Sequence, residues 1–171
     1  MTTPLFAPGE VVTAKRLRLS ALTSEAMGPM LGWLVASALT PDWTLEELMP
    51  HVEAGLGVRI ADLSDETLGM ALALHAAPTA GTASIPLLTI APAQRFVGLG
   101  SEAGLALETR IRSRWGAERV YAPVPDGRGL AVYFWLRLGY RPLQTPEAPW
   151  PLAGLTNEAR PGIWMLRDDP A

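Results

Sequence analysis

One stretch constrains the fold of this chain more than any other, because it joins an apolar run, a short glycine loop and a helical pattern. The apolar run covers residues 85–90, and the loop glycines are Gly98 and Gly100. Beyond the loop, apolar residues recur at the four-residue spacing of one helix face: Leu107, Ile111 and Trp115. The sequence therefore predicts a strand that ends near Ile90, a turn through the glycines, and a helix over residues 101–115.

A turn of this kind creates a local environment that favours anions. The first N–H groups of a helix have no partner within the helix, and they lie at the positive end of its dipole. Glycines allow a ligand to approach the backbone without a Cβ in the way. Phosphate is the ligand that suits such a site. The same pattern is also found in ordinary tight turns, so by itself it indicates no function.

Composition narrows the class of protein. The chain has 171 residues, of which 49% are apolar and 18% charged, so a single domain over residues 1–171 with a sizeable core is expected. Residues 1–14 contain two prolines and little periodicity, and we expect them to form a loose lead-in. The formal net charge of −3 gives no electrostatic reason to expect nucleic acid or an anionic membrane as a partner.

The chemistry-bearing residues are few. There is no cysteine, which excludes disulfides, thiolate metal sites and a cysteine nucleophile. His51 and His75 are the only histidines and are not at metal-ligand spacing, so no metal site is expected. No signal peptide is visible and no apolar run reaches the ~18 residues of a membrane span. These features favour a cytoplasmic protein.

The rest of the chain alternates between strand and helix patterns. Strands are predicted at residues 16–22, 57–62, 68–74, 119–124, 140–143 and 162–166. Helices are predicted over residues 23–34, from Thr44 with a Thr44–Glu47 capping box, and over residues 130–138. The last of these is apolar on most sides, so we expect it to be largely buried. On the helix after the glycine loop, Glu108 and Arg112 have the spacing of an exposed ion pair.

Two motifs resemble those of a known family. Residues 95–100 fit the pattern R/Q-x-x-G-x-G/A, which resembles the acetyl-CoA pyrophosphate loop of the GNAT superfamily of N-acetyltransferases, and Ile90 and Pro92 resemble the V-x-P that leads into it. Residues 131–140 resemble the family pattern A-x-x-F-Y-x-x-x-G-F, with matches at four positions: Ala131, Phe134, Gly139 and Tyr140. The motifs occur in the family's order, and the resemblance covers about residues 16–167.

The resemblance implies an α/β fold with a mixed, mainly antiparallel central sheet of about six to seven strands and flanking helices. Two parallel middle strands would splay apart in a V, with acyl-CoA between them. The implied activity is transfer of an acetyl group from acetyl-CoA to a primary amine, by direct attack of the amine on the thioester. The implied cofactor-binding residues are Thr89, Ile90, Arg95, Phe96, Val97, Gly98, Leu99, Gly100, Ser101 and Phe134.

The catalytic groups depart from the family pattern. Trp135 stands where relatives commonly have a tyrosine that protonates the leaving thiolate, and an indole N–H does not give up its proton near neutral pH. The predicted strands beside the cleft contain no carboxylate. His75 is a candidate base, because histidine titrates in the useful range, and Tyr121 is a candidate hydrogen-bond donor. A structural histidine and a packed strand aromatic are the respective alternatives.

The acceptor side of the site is less readable. Trp33 and Trp43 lie in the region that lines the acceptor pocket in relatives, and packing in the core is the favoured alternative for both. The acceptor would be a small-molecule or peptide amine. Many relatives dimerise, so the resemblance raises a homodimer as one expectation. A CoA-binding module with a regulatory or structural role and little catalysis is the alternative function, and an unrelated nucleotide-phosphate binder is a third.

Overall fold

The structure is a computed structural model that describes residues 2–35, 44–95, 97–143 and 162–168. Its described part contains one eight-stranded sheet in the order β1-β2-β3-β4-β5-β6-β8-β7. The strands are β1 (Val11–Ala14), β2 (Leu17–Ala21), β3 (Gly57–Asp62), β4 (Thr67–His75), β5 (Thr82–Ile90), β6 (Arg119–Pro125), β7 (Arg141–Pro142) and β8 (Gly162–Asp168). All neighbours are antiparallel except β5 and β6, which are parallel. The expected mixed, mainly antiparallel sheet is confirmed, with more strands than predicted.

Within the described residues, four α-helices flank this sheet: α1 (Leu31–Val35), α2 (Leu45–Glu53), α3 (Leu99–Trp115) and α4 (Gly129–Arg137). The predicted capping box starts α2, where the Glu47 N–H donates to Thr44 Oγ1 at 3.2 Å and the Thr44 N–H donates to Glu47 Oε2 at 2.8 Å. The segment predicted as one helix over residues 23–34 instead contains two 3-10 turns before α1, the second of which carries Pro29 in its first turn. Among the described helices, none is long and apolar enough to cross a membrane.

The central strands are buried on both faces. All nine residues of β5 are buried, as are seven of the nine in β4. Side chains alternate along a strand, so neighbouring residues contact different helices. On one face, residues such as Ile85 and Leu88 pack with α3 and α4; on the other, residues such as Leu74 and Leu87 pack with α2 and the 3-10 turns. The sheet thus separates an α3/α4 face from an α1/α2 face.

The N-terminal segment differs from the expectation of a loose lead-in. Residues Val11–Ala14 pair with β2, and the side chains of Leu5 and Phe6 are only 0% and 3% exposed. Arg110 of α3 donates its Nε–H to the Leu5 carbonyl at 3.0 Å, and its guanidinium lies over the Phe6 ring. The segment is therefore packed into the core, through contacts to α3 that local periodicity does not reveal.

The expected exposed ion pair on α3 is buried. Glu108 is 4% exposed and accepts hydrogen bonds from Arg112 Nε at 2.9 Å, Tyr140 Oη at 3.1 Å and Arg167 Nη1 at 3.3 Å. Burial, followed by the negative charge of Glu108, raises the pKa of Tyr140 well above its ordinary value. The expectation was wrong because Tyr140 and Arg167 come from distant segments. These four residues, here called the Glu108 cluster, tie α3 to β8.

Candidate functional site

The parallel strands β5 and β6 form a fork. They pair only over Thr82–Ser84 and Arg119–Tyr121, and the last pair joins Ser84 to Tyr121. Beyond that pair β5 continues to Ile90 and β6 to Pro125, but these two fully described strands form no further pairs with each other. The predicted V-shaped splay between two parallel middle strands is confirmed.

The fork has a local cause in β5. Leu72 of β4 pairs with Leu87, whereas Leu74 pairs with Ser84, so β5 uses one more residue than β4 between these pairs. The extra residue lies at Ile85–Pro86. A β-bulge bends its strand, and proline is confined to bulges and edges because it has no N–H to donate. The bulge therefore bends β5 immediately after its last pair with β6.

Beyond the fork, the side of β5 that faces β6 has backbone groups with no strand partner among the described residues. Such an edge can pair with an extended ligand in the manner of an added strand. Thr89 and Ile90, the residues expected beside the cofactor arm, lie on this stretch. The Ile90 carbonyl already accepts a hydrogen bond from Arg95 Nε at 2.9 Å. The open edge thus ends where the glycine loop begins.

The glycine loop leads directly into α3. Gly98 has φ of +83°, a left-handed conformation that favours glycine, and α3 begins at the next residue. The Glu102 N–H donates to the Gly98 carbonyl at 3.1 Å, so the N–H groups of residues 99–101 precede the first helical hydrogen bond. In the described part of the chain no side chain caps this helix. The arrangement is that of an anion cradle.

Two arginines brace the loop. Arg95 donates to the Ile90 carbonyl and, through Nη2 at 3.4 Å, to the Trp33 carbonyl of α1. Arg16, from the turn between β1 and β2, donates its Nε–H to Glu102 at 3.0 Å and Nη2 to the Val97 carbonyl at 3.4 Å. Both side chains are committed to protein acceptors, which leaves the loop backbone as the group that faces an anion.

Helix α4 contacts the loop through Phe134. A Cβ placed on Gly100 would lie 3.4 Å from Phe134 Cε2, so the ring covers this side of the loop. Trp135 is buried and packs against Phe134 and Tyr140, with ring centroids 5.1 and 4.8 Å apart. The expectation that α4 is largely buried was wrong, because its outer face carries exposed apolar side chains: Leu130 at 63% and Tyr133 at 59%.

The two candidate catalytic residues lie apart. His75 stacks on Trp115 with ring centroids 5.1 Å apart. Trp115 is the last residue of the 17-residue α3, about 25 Å along the helix from the glycine loop. Tyr121 lies at the fork, where its ring meets Trp164 edge-on at 5.8 Å. Hydrogen bonding to the Tyr121 oxygen, followed by the negative charge of Asp168, raises the pKa of Arg119. The structure brings Tyr121 to the fork and places His75 at the far end of α3.

Comparison with known proteins decides the fold. No family model matches the chain, and no curated protein matches it in sequence. Among solved structures, an acetyltransferase from Agrobacterium tumefaciens str. C58 has a TM-score of 0.71 at 13% sequence identity. The alignment covers 96% of this chain and 98% of the acetyltransferase. A GNAT-family acetyltransferase from Bacillus anthracis has a TM-score of 0.69 at 13% identity, covering 93% and 98%. The chain has the GNAT fold.

A further match extends the comparison to a liganded structure. N-acetylglutamate synthase from Neisseria gonorrhoeae, complexed with coenzyme A and N-acetyl-glutamate, has a TM-score of 0.66 at 13% identity. It covers 91% of this chain but only 36% of its own length. The GNAT fold thus extends over nearly the whole of this chain and over part of the synthase.

One acceptor candidate, Trp33, lies on the α1/α2 face of this GNAT fold. Trp33 is half-buried on α1 and packs against the α1/α2 face, and its carbonyl is held by Arg95. Trp43 and the loop residue Phe96 lie outside the described residues. Trp33 therefore lies near the end of β5, on the side of the sheet opposite α3.

Two hydroxyl groups on β5 are buried without a partner; Thr89 was among the residues predicted from sequence, whereas Ser84 was not. Ser84 and Thr89 are 0% and 1% exposed, and neither Oγ atom has a hydrogen-bond partner in the described structure. Their partners on β4, Leu74 and Met70, both belong to the α1/α2 face, so both hydroxyls lie on that face. An unpaired buried hydroxyl costs about 1–3 kcal/mol. The available signal was a pair of hydroxyl residues, Ser84 and Thr89, within the strongly apolar segment 83–90.

Proposed function

We propose that this chain is an acetyl-CoA-dependent N-acetyltransferase of the GNAT superfamily, which acetylates a primary amine by direct attack on the thioester. One observation carries the proposal: the open fork and the uncapped glycine start of α3 lie at the two ends of the same stretch of β5. An elongated ligand with phosphates at one end and a reactive group at the other fits this arrangement. Coenzyme A is such a ligand.

The residues present fit coenzyme A. Backbone N–H groups of residues 97–101 would hold the pyrophosphate, with Arg95 and Phe96 completing the loop. Thr89 and Ile90 would line the pantetheine arm on the open edge of β5, and Phe134 would support the loop at Gly100. When bound, acetyl-CoA supplies an activated acyl group as its thioester. The remaining chemistry falls to this chain's own residues.

Those residues favour positioning and exclusion of water over a dedicated acid and base. None of the described strands at the fork, β4, β5 and β6, carries an aspartate or glutamate. Tyr121 remains a proposed hydrogen-bond donor, because it lies in the last pair between β5 and β6. His75 and Trp135 are held by packing against Trp115 and Tyr140. Orienting a neutral amine against the thioester in an apolar cleft then provides most of the rate enhancement.

The acceptor would approach from the α1/α2 face, because α3 and α4 cover the other side of the fork. Trp33 supports this assignment, since it lies on that face beside the end of β5. Trp43 is the second proposed acceptor residue. The acceptor class is a small-molecule or peptide amine with an apolar part that can contact an indole.

Calorimetry with coenzyme A tests the cradle through two matched glycine variants. Gly98 and Gly116 flank α3 and both have left-handed φ angles, +83° and +64°. A Cβ added at either position would have no protein atom closer than 3.7 Å apart from its chain neighbours. Gly98→Ala should weaken CoA binding by about tenfold or more, which corresponds to about 1.4 kcal/mol. Gly116→Ala should impose similar backbone strain and leave CoA affinity unchanged. Equal affinities for the two variants would contradict the proposed cradle.

Activity is tested by thiol release from acetyl-CoA over a panel of primary amines. The buried Trp135 and the absence of carboxylates from the described fork strands favour a second candidate, a CoA-binding module without catalysis. CoA binding with no thiol release across a broad panel would support the module. Amine-dependent thiol release would support the transferase.

A further inference from the structure

The hydroxyl of Ser84 lies at the point where the fork opens. Ser84 forms the last pair with Tyr121, and its side chain is fully buried without a hydrogen-bond partner in the described structure. Buried hydroxyls nearly always have a partner. An unpaired one at the closed end of a ligand cleft is therefore a group that a ligand could satisfy.

The length of the cofactor arm brings its reactive end to this level. The arm from phosphate to sulfur has about a dozen bonds and spans about 15 Å, the length of four to five extended residues. If it runs from Ile90 along β5, its sulfur lies level with Ile85–Pro86, next to Ser84. The hydroxyl of Thr89 lies nearer the mouth of the cleft, beside the middle of the arm.

One backbone donor is missing at the same level. A thioester carbonyl gains negative charge as the amine attacks and needs a hydrogen-bond donor nearby. Pro86 has no N–H to offer. The indole of Trp135 packs in the core against Tyr140. On β5 itself, the Ser84 hydroxyl is a donor that has no hydrogen-bond partner in the described structure.

We propose that the Ser84 hydroxyl donates a hydrogen bond to the thioester carbonyl oxygen of bound acyl-CoA, and is thus a catalytic residue. This inference rests on the proposed acetyl-CoA function. No proton is transferred: Ser84 keeps its proton while the amine nitrogen bonds to the acyl carbon and the carbon–sulfur bond breaks. The side chain lies on the α1/α2 face, from which the amine approaches.

Infrared spectroscopy of bound acetyl-CoA labelled with ¹³C at the acyl carbonyl tests this directly. A hydrogen bond lowers the carbonyl stretching frequency, so Ser84→Ala should show a higher frequency than the wild type, with Ser84→Cys between them. Thr109→Val is the control, because it removes a hydroxyl on the exposed side of α3, outside the proposed acyl-CoA site, where it donates to the Leu105 carbonyl; it should keep the wild-type frequency. In an active enzyme, kcat of Ser84→Ala should fall about a hundredfold, with Kd for free CoA unchanged.

Stability measurements separate a catalytic from a structural role. Ser84→Ala removes an unpaired buried hydroxyl, so the ligand-free variant should be as stable as the wild type or more stable. An unchanged carbonyl frequency in Ser84→Ala would overturn the inference, as would a lower Tm with a parallel loss of CoA affinity. If the alanine variant does not fold, Ser84→Cys decides: a carbonyl frequency equal to that of the wild type would overturn the inference. Failure of the wild type to bind CoA would instead refute the proposed function.

Discussion

Substitution of Glu108 tests how much the Glu108 cluster contributes to the free energy of unfolding, and the contacts of this carboxylate set the size of the expected loss. Glu108→Ala leaves Arg112, Arg167 and Tyr140 without their shared acceptor. Breaking a buried ion pair by removing one partner costs about 3–5 kcal/mol. Arg112 keeps its bond to the Glu118 carbonyl and Arg167 its bond to the Leu138 carbonyl, so the loss should lie at the lower end.

The assay is thermal unfolding followed by circular dichroism. For a chain of this size each kcal/mol lowers Tm by about 2–4 °C, so a loss of about 3 kcal/mol predicts a fall of roughly 6–12 °C. Glu118→Ala is the matched control, because Glu118 is exposed just beyond the end of α3. Glu108→Gln keeps the volume and one acceptor oxygen, and should fall between the control and the alanine variant.

The outcome that refutes this reasoning is a Glu108→Ala variant whose Tm matches that of Glu118→Ala. The three hydrogen bonds would then add no net stability over solvation of the separated groups. CoA affinity should be unchanged in folded Glu108→Ala, since the loop is braced by Arg16 and Arg95 rather than by this cluster.

Three further predictions follow from the fold. Tyr140→Phe should flatten the loss of stability at alkaline pH. The raised pKa of Tyr140 stabilises the fold in full below about pH 10, and this stabilisation is lost as pH rises towards the folded pKa, because the unfolded chain releases the proton first. Urea unfolding of both proteins at pH 8 and pH 11 measures the difference. Gly69→Ala should lower the free energy of unfolding in urea by about 1–3 kcal/mol, because its Cβ would clash with the Thr89 carbonyl oxygen. Leu5→Ala should cost about 2–5 kcal/mol in the same assay, since Leu5 is fully buried; no effect would contradict a packed N-terminal segment.

The elements with local signals could be predicted from the sequence. The strand predicted at residues 57–62 is β3, and the helix predicted at 101–115 is α3 (Leu99–Trp115), because hydrophobic periodicity and turn glycines act over a few residues. The burial of Leu5 could not be predicted in this way, since it depends on contacts with α3. The prediction for Glu108 was wrong for the same reason, because two of its partners lie more than thirty residues away in sequence: Tyr140 and Arg167.

In the candidate site, too, the features with local signals could be predicted and those that depend on strand pairing could not. The glycine loop was visible because Gly98 and Gly100 have a fixed local spacing. The opening of the fork depends on how β5 registers with β4, and the bulge at Ile85–Pro86 is a property of the pair of strands. The position of Ser84 at the opening of the fork could therefore not be predicted from the sequence, because it depends on where β5 stops pairing with β6.

The strand order at the outer end of the sheet has a consequence for synthesis of the protein. β8 is the last described strand in sequence, yet it lies between β6 and β7 and pairs with β6 from Arg119 to Pro125. At about 5–20 residues per second, the ribosome needs roughly 2–9 s to add the residues between Pro125 and the end of β8. During that time β6 is an open edge on the nascent chain. Pro123 and Pro125 have no N–H to donate, so β6 offers fewer backbone donors to a second chain than a strand without proline does.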